Sequence, residues 1–206
     1  MKTPKEIAID FAEGRMTIEE FKEIIDNNDD VYDFFNNAPD ASKYLYLAEY
    51  GFKSGNLLRD ENIGLISSRA NIYGEVCRVL RERMGIDIIE PKENYMTIYG
   101  FFLDFQPAYI EGCNDEYVTR EVYEKIPVEL KSKTARIKWA KQRIKELFRC
   151  ENRPPRWVQS SQWPFDKEGN PMVFLYQKSA GKDDERVFYY FRDETTGEVV
   201  EIVDFW

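Results

Sequence analysis

Histidine is absent from all 206 residues, and cysteine occurs three times, at Cys77, Cys113 and Cys150. Without an imidazole there is no Ser–His or Cys–His pair, so Ser67-Ser68 and Ser160-Ser161 have no base to activate them. The three thiols are odd in number and far apart, which makes neither a disulfide framework nor a C-x-x-C pair. That set offers no zinc geometry, and neither metal nor cofactor is expected. A complete phosphate-binding glycine loop is missing. No apolar run approaches the roughly 18 to 20 residues that cross a bilayer. Met1-Lys2-Thr3-Pro4-Lys5 leads into a charged helical pattern instead of the apolar stretch of a signal peptide. These absences predict a cytoplasmic protein that is not an enzyme and has no membrane role.

What the chain does have is apolar and acidic. With 43% apolar residues, including 14 Phe, 13 Tyr and 4 Trp, it can bury a full core. Its net charge of −9 is unevenly spread. Residues 10–40 hold ten acids against two bases, and residues 183–204 hold eight against two, whereas residues 131–149 hold eight bases against one acid. An acidic exterior disfavours nucleic acid and anionic membrane and favours a basic protein partner. The basic stretch reads as the solvated face of one helix. Ile137, Ala140, Ile144, Leu147 and Phe148 fall on one side of it, and Lys131, Lys138, Lys145 and Arg149 on the other.

Helix signals dominate residues 1–150. Thr3-Pro4 opens a first helix that Gly14 ends, and Thr17 with Glu20 forms the capping box of a second. Asp29 or Asp30 is read as the cap of a third, stopped by Pro39. Residues 43–62 are aromatic and irregular, with a Gly55-Asn56 turn signal, and both hairpin and loop stay open there. Ser67 or Ser68 is expected to start a helix that Gly85 stops. Another is expected between Lys92 and Phe105, where Tyr95, Ile98, Phe101, Phe102 and Phe105 are β-formers as well and Pro107 closes the element either way; one is expected from Asn114 to about Lys125, and the basic one after Ser132. Beyond the linker Glu151–Pro155 the period changes. Short β-type runs at Trp157–Gln159, Met172–Gln177, Val187–Arg192 and Val199–Phe205 are separated by Gly and Pro, with Asp193–Gly197 as a hairpin loop. The fold class predicted is α+β: a helical region over 1–150 packed on an antiparallel sheet of three to four strands over 154–206, sharing one core or interface.

Asp26-Asn27-Asn28-Asp29-Asp30 offers oxygen ligands at positions 1, 3 and 5 of a calcium loop. Val31 stands where that loop needs glycine and Asn37 where it needs a bidentate glutamate, so helix capping explains it better. Asp183-Asp184-Glu185 and Glu198, Glu201 and Asp204 are carboxylates of the kind glycosidases pair. A hairpin tip and a polar strand face account for them equally. In Trp157-Val158-Gln159, Trp163-Pro164 and Gly169-Asn170-Pro171-Met172-Val173-Phe174-Leu175-Tyr176-Gln177, aromatic bodies alternate with amides. The pattern suits an extended segment that anchors rings under a sheet while its amides bond backbone.

This block, carried by Trp157, Gln159, Trp163, Pro164, Pro171, Phe174 and Gln177, resembles a pattern of YwqG-like bacterial proteins and of predicted immunity proteins of polymorphic toxin systems. The first 150 residues carry no motif of that group. The resemblance implies a binding role: an immunity-like inhibitor of a basic toxin domain. The charge distribution puts the expected partner surface at Asp29, Asp30, Tyr32 and Asp33 and at Asp183, Asp184 and Glu185, an aromatic with an acidic rim. Two alternatives stand beside it. One is a small-molecule or peptide-binding module using an aromatic concavity around Trp157, Trp163, Tyr176 and Tyr189, and the other a carboxylate-dependent hydrolase.

Overall fold

The computed structural model describes residues 2–37, 53–112, 114–181 and 184–205. They fall into two compact units, Met1–Phe101 and Phe102–Trp206. Eight α-helices among the described residues are followed by a three-stranded antiparallel sheet, which is an α+β architecture.

In the first unit, α1 (Pro4–Ala12) and α2 (Ile18–Asn27) each open with a complete capping box, Thr3 with Glu6 and Thr17 with Glu20. Gly14, at φ 74°, turns the chain between them in a conformation that glycine adopts without a Cβ penalty. The cap of α3 (Asp29–Asn36) is Asn28, whose Oδ1 accepts from the N–H groups of Asp30 and Val31. Neither Asp29 nor Asp30 serves, because both lie inside the first turn, where their charge favours the helix dipole.

The Gly55-Asn56 turn signal is overturned, since both residues lie inside α4 (Ser54–Asp60). Here glycine serves close approach: a Cβ on Gly55 would stand 2.5 Å from Asn36 Oδ1 and 2.9 Å from the Tyr32 carbonyl oxygen. Residues 43–52 of the ambiguous 43–62 stretch, and the Pro39 stop, lie outside the described residues. Helix α5 (Ile66–Arg78) starts at Ile66, ahead of Ser67, and runs into a π-helical turn over Val79–Arg83 before Gly85. The buried faces of α1 to α5 meet around Phe11, Phe21, Phe35, Ile72, Tyr73 and Leu80. Phe11 stacks on Phe21 at 4.3 Å between ring centroids.

Helix α6 (Tyr95–Phe105) carries the chain into the second unit. There follow α7 (Asp115–Glu121), a 3₁₀ turn at Tyr123–Lys125, and the basic helix α8 (Lys133–Leu147), capped by Ser132. Helix α8 buries Ala140 and Ile144, with Phe148 just beyond it, and exposes Lys138 and Lys145 as its periodicity requires, while Lys131 is exposed ahead of the cap, outside the helix. The strands are β1 (Val173–Gly181), β2 (Asp184–Arg192) and β3 (Val199–Phe205), in the order β1-β2-β3. Trp157–Gln159 is not a strand. The backbone N–H groups of Val158 and Gln159 are taken by a side chain, described below, and so join no ladder.

Candidate partner-binding surface and the tryptophan block

Trp163 is the centre of the second unit's core. It is buried, with Phe148 and Phe191 both 5.3 Å away in edge-on contact and Phe174 at 6.3 Å, and its indole N–H donates to the Met172 carbonyl at 2.8 Å. Trp157 is only half-buried. It lies over Tyr189 at 4.4 Å and parallel to Phe191 at 6.0 Å, with its N–H donating to the Tyr109 carbonyl at 2.8 Å. Gln177 uses its amide as a surrogate strand partner: its oxygen accepts from Arg156 N–H at 2.7 Å and its NH₂ donates to Arg156 C=O at 3.4 Å. Tyr189 donates to the same carbonyl at 2.8 Å. Pro171, beside the β-bridge from Phe165, is buried, and Pro164 is half-buried, its carbonyl accepting from Met172 N–H at 3.0 Å.

Sequence reasoning missed the residue that holds this block in place. Asp204 reads as a member of a polar strand face, yet it is buried on the core side of β3. One carboxylate oxygen accepts from Val158 N–H at 3.1 Å and Gln159 N–H at 3.0 Å, and the other from Phe205 N–H at 3.0 Å. Gln159 completes the clasp by donating its side-chain amide to the Phe205 carbonyl at 3.1 Å. The signal that could have revealed it is the break in alternation in Ile202-Val203-Asp204, where an acid falls on the strand's apolar phase. Asp193 and Asp166 act similarly in turns. The N–H groups of Thr196 and Thr195 hold the Asp193 carboxyl below the usual aspartate range, and those of Asn170 and Glu168 do the same for Asp166.

Carboxylate pairing on β3 is not what the strand offers. Glu201 faces outward opposite Tyr190, while Asp204 faces the core opposite Val187, so the pleat separates them. Nor do Trp157, Trp163, Tyr176 and Tyr189 line one concavity. Trp163 and Tyr189 are buried, and Tyr176 stands on the other face of the sheet, 54% exposed and stacked on Tyr190 at 4.6 Å. An apolar cavity of about 360 Å³ occurs instead in the first unit, floored by Phe11, Tyr73 and Tyr95 and rimmed by Arg15, Glu20 and Glu93. Burial pushes the Cys77 and Cys150 thiols up to about 11, which keeps both protonated at neutral pH.

The expected acidic partner residues sort by element. Asp29, Asp30, Tyr32 and Asp33 share α3, with all three acids exposed. Arg59 anchors this corner: its Nε donates to the Ile25 carbonyl at 2.8 Å, its terminal nitrogen to Asp29 at 2.9 Å, and its guanidinium lies 3.7 Å over the Tyr32 ring. The Tyr32 hydroxyl bonds Asn56. Tyr32 is therefore half-covered from within, and Asp29 is partly compensated. Asp30 and Asp33 have no ion-pair partner among the described residues. Glu185 is exposed on β2, next to Asp184 at the strand's start, and Asp183 lies outside the described residues. Among the described residues, no group of three or more Cys, Asp or Glu could hold a metal ion, and no helix is long and apolar enough to cross a membrane. No family model, curated protein or solved structure matches this chain.

Proposed function

We propose that this chain is a protein-binding protein without catalytic activity, an immunity-like inhibitor that neutralises a basic toxin domain by covering it. One observation carries the reading: Asp30, Asp33 and Glu23 are exposed on α2 and α3 with no ion-pair partner among the described residues, on a corner whose backbone Arg59 pins. Fixed, uncompensated charge gives a directed field that steers a cationic partner and speeds encounter. The sequence block that resembles predicted immunity proteins supports the reading in a second way. Its amide and indole groups are bonded to backbone within the same unit, so that block works as scaffold and leaves recognition to the surface. A ligand-binding module is the second reading, favoured by the Phe11–Tyr73–Tyr95 cavity.

The test is capture of the partner from the native host followed by binding kinetics at two salt concentrations. The expected partner is a basic protein whose toxicity co-expression relieves. The triple change Asp29→Lys, Asp30→Lys, Asp33→Lys should slow association about tenfold at low salt and flatten its salt dependence, with the fold retained. An acidic or nucleic-acid partner would refute the reading. So would loss of binding on charge reversal at Lys131, Lys138 and Lys145 with the acidic set inert.

A further inference from the structure

The sheet ends in an open edge. β2 and β3 pair without a bulge from Arg186↔Phe205 to Arg192↔Val199, and the ladder continues through Asp193 N–H to the Glu198 carbonyl at 2.9 Å. Bonded and non-bonded pairs alternate in an antiparallel ladder, so Val200, Ile202 and Asp204 turn their backbone groups towards β2. Val199, Glu201, Val203 and Phe205 turn theirs outward. The Phe205 carbonyl is occupied by Gln159. Among the described residues, nothing reaches the backbone groups of Val199, Glu201 or Val203. Proline, lysine and a bulge, three of the devices that protect an edge strand, are missing from Val199-Val200-Glu201-Ile202-Val203-Asp204-Phe205, and its inward-facing acid, Asp204, is already bonded to Val158 and Gln159. On the outer face beside this edge, Val199 and Phe205, 53% and 52% exposed, lie opposite Arg192 and Arg186, with Glu201 between them opposite Tyr190.

We infer that the β3 edge receives an extended segment of a basic protein partner, which adds a fourth strand to the sheet. Outward backbone groups on Val199, Glu201 and Val203 supply the hydrogen bonds. Glu201, exposed between two valines on a strand with no basic residue, selects a segment in which a lysine or arginine is flanked by apolar residues. A second copy of this chain fits less well. Antiparallel self-pairing centred on Glu201 sets that carboxylate against its own image, and centring on Val203 brings in Phe205, whose carbonyl is already bonded. The partner's basic character rests on the function proposed above, whereas the open edge stands without it.

A seven-residue peptide of alternating valine and lysine is the probe, titrated into the full chain and followed by amide NMR. Binding should shift the Glu201 and Val203 amides and slow their hydrogen exchange at least tenfold. Val203→Pro removes one outward N–H without touching the β2–β3 ladder, so it should weaken binding at least tenfold with the melting temperature little changed. Glu201→Lys should reverse the preference, favouring a valine–glutamate peptide over the valine–lysine one. Equal binding to wild type and both variants overturns the inference, as do Glu201 and Val203 amides already protected in the free chain. A concentration-dependent dimer that protects those amides would overturn it in favour of a second copy. If the captured basic partner binds Val203→Pro as tightly as wild type, the edge fails and the inhibitor reading survives. If the peptide behaves as expected and no basic partner is neutralised, the converse holds.

Discussion

Single acids in this protein do opposite jobs according to the N–H groups around them. Asp204 accepts two N–H groups from Val158 and Gln159 that no ladder serves. Asp204→Ala should therefore cost at least about 2 kcal/mol, since each orphaned N–H is worth roughly 1 to 3 kcal/mol. Denaturant unfolding measures this, and Asp204→Asn, which keeps an acceptor oxygen, should recover part of the loss. An alanine variant as stable as wild type would show that water replaces the carboxylate. Asp193 gives a pH-dependent counterpart. Its folded carboxyl is held below its unfolded value by the Thr196 and Thr195 N–H groups, so the linked stability is present above the usual aspartate range and is lost as pH falls through and below it. Between about pH 5 and pH 3 the wild-type melting temperature should fall more steeply than that of Asp193→Asn, which cannot titrate. Parallel curves would contradict this.

At the scale of elements, α3 and α4 approach each other tightly at Gly55, where a Cβ would have no room. Gly55 N–H donates to Asn36 Oδ1 at 2.8 Å, so a side chain of α3 satisfies an N-terminal donor of α4. Gly55→Ala would gain up to about 1 kcal/mol of helix propensity. It would also drive a methyl group to 2.5 Å from Asn36 Oδ1 and 2.9 Å from a backbone oxygen. The overpacking cost of about 1 to 3 kcal/mol should win, giving a net loss of stability measurable by denaturant titration. A stabilised variant would mean that α4 can back away from α3. The sheet shows the same logic of spent and unspent groups. β1 meets Arg149, Glu151 and the Gln177–Arg156 pairing along its outer side, whereas among the described residues β3 has only the Gln159 contact at its end. The two edges of one sheet are unequal, and the unprotected one carries Glu201.

Across the whole molecule, charge is segregated more than its net value of −9 suggests. Part of the basic charge is engaged: Lys133 with Asp104 and Arg149 with Glu194 from the basic stretch, and Arg192 with Glu151 from the sheet. Exposed pairs of this kind add little stability, typically less than about 1 kcal/mol each. Their effect is on the field, because they cancel basic charge locally while Asp30 and Asp33 are left uncancelled. Screening acts over roughly 8 to 10 Å at moderate salt, so a field built from exposed carboxylates should govern association rate far more than dissociation. That is why the charge-reversal test belongs at low salt.

Periodicity and capping chemistry made most of the elements legible. Thr3-Pro4, Thr17 with Glu20, and Ser132 are local instructions that need nothing beyond their own turn, and all three caps form as read. Alternation with a Gly197 loop likewise defined β2 and β3. Three of the failures share a cause. Gly55 signals a turn unless a neighbouring helix requires its missing Cβ. Trp157–Gln159 signals a strand unless its N–H groups are claimed elsewhere, and Asp204 signals a solvated face unless it does the claiming. Those partners lie 19 to 46 residues away in sequence. Composition and local propensity determined the helices, the apolar phases and the acidic excess. Only the tertiary structure decided which polar groups are spent on holding the fold and which are left to meet a partner, because a hydrogen bond between distant residues leaves no mark in the local pattern.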